Sequence, residues 1–124
     1  MTGTAPVKRV LIVEDDQDVR GALAAFLEGE GHSVVEAAHG AEALTRLHDS
    51  DGICLIVLDL WMPVMDGWEF RAAQRKDPTL AAVPVVVITA DKGAEQRAAD
   101  FGEADWMTKP IDFGRLLELV HAHC

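Results

Sequence analysis

The sequence predicts an α/β fold, a doubly wound sheet of five parallel strands with five helices packed on its two faces. Two observations carry the prediction. Apolar runs at 10–13, 53–58 and 83–89 lack the alternation of a one-sided sheet, so they read as strands buried on both faces. Between them, apolar residues recur at helical spacing, and strands alternating with helices specify a parallel sheet joined by right-handed crossovers. At 124 residues and 49% hydrophobic, the chain suffices for one core and leaves no room for a second domain.

Each element follows from its own pattern. The run 10–13, preceded by Lys8 and Arg9, ends on Glu14 and Asp15. Val19, Ala22, Leu23, Phe26 and Leu27 then fall on one face of a helix that Gly29 and Gly31 stop. A short strand at 33–37 precedes a helix at 40–48 with Ala43, Leu44 and Leu47 on one side. The longest run, 53–58, meets a single carboxylate at Asp59. A lone acid is poorly tolerated inside such a strand, so Asp59 belongs at the carboxyl end, where open α/β folds place ligands. A loop rich in Pro and Gly, a helix at 68–76 ended by Asp77 and Pro78, and a strand at 83–89 ending on Thr89 follow. The segment 91–101 reads as a weak helix, since Gly93 lies in its first turn and Ala94, Ala98 and Ala99 dominate its apolar side. A strand at 104–107, a loop holding Lys109 and Pro110, and a helix at 113–122 with Asp112 as N-cap complete the chain.

The strand order expected at this length is 2-1-3-4-5, flavodoxin-like, with strands one and three flanking the switch point. Glu14, Asp15 and Asp59 then converge at one edge, with Thr89 and Lys109 at the ends of the next two strands. Three neighbouring carboxylates repel one another, which raises a pKa or recruits a cation. Oxygen donors without Cys or His favour Mg²⁺, or Mn²⁺, over Zn²⁺. A hard dication, an ammonium and a hydroxyl around a free carboxylate are suited to a phosphoryl group, with the carboxylate as nucleophile.

Composition excludes other classes. Eleven Lys and Arg against 21 Asp and Glu leave a net charge of −10, which argues against direct nucleic-acid binding. No apolar stretch reaches a membrane span and no signal peptide is seen, so the expectation is a soluble, cytoplasmic protein. Cys54 and Cys124 form no disulfide framework and no metal spacing; Cys54 reads as a small core residue in a reduced setting. The five histidines read as surface residues.

The acidic pair Glu14 and Asp15, Asp59 followed by Met62-Pro63, Met65-Asp66-Gly67, Thr89-Ala90 and Lys109-Pro110 together resemble the receiver domains of two-component response regulators, over about 8–122. The resemblance implies a stand-alone, chemotaxis-regulator-like receiver, a single domain over 1–124 without an output domain. It implies that Asp59 accepts a phosphoryl group from a sensor histidine kinase or phosphotransfer protein. Glu14, Asp15, Asp59 and the Trp61 carbonyl would bind Mg²⁺, Thr89 would bond a phosphoryl oxygen, Lys109 would pair with it, and the bond to Pro110 would be cis. The chain would be no enzyme in the usual sense, but a phosphoacceptor assisting its own phosphorylation and dephosphorylation. It would be a monomer or weak dimer, signalling to a downstream protein through the face made by the 91–101 helix, the fifth strand and the last helix. Thr89 and Trp106 would form the switch; Trp61 and Trp106 depart from the commoner pattern.

Rivals are weaker. A haloacid-dehalogenase-like phosphatase needs an acid where Trp61 stands, an FMN protein would meet repulsion from Glu14, Asp15 and Asp16, and no nucleotide-binding phosphate loop is present. A pseudo-receiver that is not phosphorylated, or a phosphorelay intermediate, remains the alternative.

Overall fold

The structure, a computed structural model, describes residues 7–91, 93, 94, 96 and 104–124. Five strands, β1 (Arg9–Val13), β2 (Ser33–Ala37), β3 (Ile53–Asp59), β4 (Val85–Thr89) and β5 (Asp105–Thr108), form one sheet in the order β2-β1-β3-β4-β5. All four pairings are parallel. The described residues contain four helices, α1 (Gln17–Gly29), α2 (Gly40–Asp49), α3 (Gly67–Lys76) and α4 (Phe113–His123). The expected helix at 91–101, with Ala98 and Ala99, falls mostly outside the described residues; Ala94 is buried.

Side chains leaving the central strands alternately feed two cores. Leu11, Val13, Ile56, Leu58, Val85 and Val87 pack with Ala43, Leu47 and Phe70 on one side of the sheet. Val10, Ile12, Leu55, Val57, Val86 and Ile88 pack with Leu23, Leu27, Leu116 and Val120 on the other. That two-sided burial is why the runs show no polar alternation.

Each of these four helices starts on a side-chain cap. The Asp16 carboxylate accepts from the N–H groups of Asp18 and Val19, Asp66 and Glu69 form a reciprocal capping box, and Asp112 accepts from Arg115 N–H. Before α2 the cap is His39, whose Nδ1 accepts from Glu42 N–H. His39 is therefore no free surface histidine, and neither is His32, whose ring lies 5.3 Å from that of His121 with its Nε2 buried. Strand bounds shift from those expected, with β1 taking in Arg9. Pro84 has no N–H for a ladder, and β4 starts one residue beyond it; β5 begins at Asp105 and extends to Thr108.

The reading of Cys54 as an unpaired core residue is overturned. Its sulfur is bonded to that of Cys124, the C-cap of α4, with Cα atoms 5.4 Å apart. Neither cysteine's spacing in the sequence reveals this, because the pairing arises only when α4 packs back beneath the start of β3. Among the described residues no helix is long and apolar enough to cross a membrane.

Candidate functional site at the carboxyl edge of the sheet

Strands β1 and β3 lie side by side, Val13 paired with Leu58, so the residues that follow them emerge together. Oxygens of Glu14, Asp15 and Asp59 lie within 4.8 Å of one another. Asp15 is exposed, whereas Glu14 and Asp59 are only 1% and 4% exposed. Burying two acids so close together is unfavourable unless they are paired or held by a cation.

Lys109 supplies part of that compensation. Its Nζ donates to Glu14 Oε2 at 2.8 Å and stands 3.7 Å from Asp59 Oδ1. The lysine is fixed through its backbone, as Lys109 N–H donates to the Thr89 carbonyl at 2.8 Å, and the Lys109–Pro110 peptide is cis. Thr89 is fully buried and its Oγ1 accepts from Asp91 N–H at 3.0 Å. With a lone pair so occupied, its O–H is free to donate toward the edge of the sheet.

Glu14 is held at four points. Its N–H donates to the Ala37 carbonyl, its own carbonyl accepts from the Arg20 guanidinium at 2.7 Å, Oε1 accepts from Asp16 N–H, and Oε2 takes Lys109. Arg20 also pairs with Glu36 at 3.3 Å. Arg20 escaped the sequence reading; its one signal is that α1 contains no other Lys or Arg.

The electrostatics follow from burial. Desolvation, and then the negative charge of Glu14, raise the Asp59 carboxyl from 3.8 to about 7, against the opposing pull of Lys109. Burial acts to lower the pKa of Lys109, but its hydrogen bond to Glu14 and the charges of Asp59, Glu14 and Asp15 outweigh it, and the net shift is upward. Lys109 is cationic, and Asp59 is poised between its two forms at neutral pH. The donor set fits a hard dication, three carboxylate oxygens with no sulfur or imidazole.

The loop from β3 to α3 frames the site. Gly67 N–H donates to the Leu60 carbonyl, and a Cβ at Gly67 would lie 2.6 Å from the Asp59 carbonyl oxygen, so the turn brings its backbone against that of Asp59. Val64 holds φ at 67° and is 78% exposed, and Trp61 is half-exposed. Trp106 pairs with Val87 on β4. By strand alternation it shares a sheet face with Thr89, and its ring centroid lies 6.4 Å from that of Trp68 at the start of α3.

Residues 10–121 match the family model of the response regulator receiver domain. Protein PilH of Pseudomonas aeruginosa is 33% identical over 121 residues, covering 92% of this chain and 95% of PilH. A response regulator receiver protein from Pseudomonas putida superimposes with a TM-score of 0.87 at 34% identity, over 96% of this chain and 99% of that one. The response regulator protein TrrA of Thermotoga maritima, solved in complex with Mg²⁺–BeF, superimposes at 0.83 with 26% identity, over 94% and 99% of the two chains.

Proposed function

Since the chain belongs to the response regulator receiver domain family, as its match over residues 10–121 shows, we propose that it is a phosphorylation-driven switch in which Asp59 takes a phosphoryl group from the phosphohistidine of a sensor histidine kinase or phosphotransfer protein. The observation that carries this reading is a nearly buried carboxylate at a strand end, beside two further acids and one ammonium. The carboxylate oxygen attacks phosphorus as the bond to the imidazole nitrogen breaks, and the neutral imidazole leaves after protonation.

Glu14, Asp15, Asp59 and the Trp61 carbonyl would hold Mg²⁺, with Mn²⁺ a chemical equivalent. A dication there supplies positive charge against the phosphoryl oxygens. Lys109 exchanges its bond to Glu14 for one to a phosphoryl oxygen, and Thr89 donates its hydroxyl to another. In this reading residues 1–124 act as one receiver unit in the cytoplasm, as a monomer or weak dimer. The altered face around β5 and α4, together with the 91–101 segment, docks a downstream protein rather than nucleic acid.

The test is labelling with acetyl phosphate and Mg²⁺. One phosphoryl group per chain, labile to hydroxylamine, is expected by intact mass, and none in Asp59→Asn. Full labelling of Asp59→Asn would remove the assignment, and no labelling of the parent would favour a pseudo-receiver.

A further inference from the structure

From Val10 onward β1 and β3 pair residue for residue, Val10 with Leu55 and Leu11 with Ile56, but Arg9 pairs with Ile53 and leaves Cys54 as an extra residue between. The side chains record the bulge. Ile53 and Leu55, two apart, would share one face of a regular strand, yet Ile53 packs into the core beneath α2 and α3 and Leu55 into the core beneath α1 and α4. Bulges re-aim side chains, and the residue re-aimed here is the one whose sulfur meets Cys124. Cys124 is also held from outside the pair, its carbonyl accepting from Lys8 Nζ at 2.9 Å. Beyond Val120, the last buried residue of α4, positions 121–123 are exposed. The sulfur bridge and Lys8 are therefore side-chain ties from that last turn to the strands. Both cysteines are partly exposed, and exchange with a small thiol requires such access, which a fully buried pair would lack.

We propose that Cys54 and Cys124 are a reversible redox modification site, a clasp closed by exchange with low-molecular-weight disulfides of the glutathione class and opened by the corresponding thiols. Its state sets whether the last turn of α4 is fixed to the strand that ends on Asp59. Closing proceeds in two displacements. One cysteine thiolate attacks a sulfur of the small disulfide, whose S–S bond breaks to release a thiolate. The second cysteine thiolate attacks the mixed disulfide, forming the Cys54–Cys124 bond and releasing the second small thiolate. The two protons lost by the cysteines end on the two released thiols, and the small disulfide is reduced by the two electrons that the pair gives up. The proposal does not depend on phosphorylation of Asp59.

The test equilibrates the full chain in glutathione buffers from fully reduced to mostly oxidised, then alkylates free thiols and reads intact mass. A single transition is expected between chains with two alkylated cysteines and chains with none. Reduction should lower the melting temperature by at least about 5 °C, because the bridge spans 70 residues. Amide exchange over 120–124 should rise at least about tenfold on reduction, while labelling of Asp59 by acetyl phosphate changes less than about twofold. Cys124→Ser, which removes the bridge at the helix end, should exchange fast in both buffers. Two free thiols at every ratio, a bridge surviving fully reduced glutathione, unchanged exchange over 120–124 on reduction, or slow exchange in Cys124→Ser would each overturn the proposal.

Discussion

Asp59 stands where burial and charge conflict. Its carboxyl is raised from 3.8 to about 7 by desolvation first and Glu14 second, and a carboxyl raised on folding opposes folding wherever the unfolded chain ionises it. That penalty is absent below 3.8, grows as pH climbs toward about 7, and is complete above it. The metal-free Asp59→Asn variant should thus exceed the parent in stability by roughly 1–3 kcal/mol at about pH 8, the gap closing toward pH 4, in urea titrations at both values. Equal stabilities at the higher pH would mean that Lys109 fully compensates the buried charge. Asp15 makes a second prediction. It is exposed yet shares the acidic cluster, so Asp15→Asn should leave the metal-free protein equally or more stable and diminish the rise in melting temperature with added Mg²⁺. A destabilised metal-free variant would instead identify Asp15 as a structural cap. At this scale most of the site was legible, since acids and a hydroxyl that terminate apolar runs have few structural uses. Arg20 was not, because its hydrogen bond goes to a backbone carbonyl, and being the lone basic residue of α1 is too weak a signal to point there.

The turn from β3 into α3 shows how an element places a residue. Gly67 sits so close to Asp59 that a methyl group would meet backbone on two sides, the Asp59 carbonyl oxygen at 2.6 Å and Leu60 Cα at 2.9 Å. Backbone cannot swing aside as a flexible side chain can. Gly67→Ala should cost at least about 2 kcal/mol in urea denaturation and slow acetyl phosphate labelling by about tenfold, since the shift falls on Asp59 itself. A loss under about 0.5 kcal/mol would show that the turn relaxes freely. Strands and helices were readable from apolar runs, helical spacing and capping residues such as Asp66 and Asp112. The bulge at Cys54 was not, for a bulge is a property of two strands in register, and the sequence of β3 alone holds nothing that marks it.

At the scale of the whole molecule, the proposed switch runs from the acidic edge through β4 and β5. Thr89 and Trp106 share a sheet face, and the Trp106 ring lies against Trp68. With Trp61 and Trp68 replaced by Phe, which keeps an aromatic neighbour, Trp106 emission and quencher accessibility should change when beryllofluoride and Mg²⁺ are added. Unchanged emission, with binding confirmed by calorimetry, would mean that the output runs by another route. The strand order was readable because alternating strands and helices leave few right-handed topologies. The covalent link between Cys54 and Cys124 could be seen only once the last helix had a place in space.

The pairing of Lys109 with Glu14 joins residues 95 positions apart, so synthesis from the N-terminal side delivers the acids before the base. Strands β1, β2 and β3 are neighbours in the sheet and leave the exit tunnel first, so Glu14, Asp15 and Asp59 can draw together while Lys109 is still unsynthesised or inside the tunnel. During that interval the ammonium that Glu14 and Asp59 meet in the folded protein is missing from this edge. Until that lysine is in place, a hard dication is the other charge that fits these oxygens.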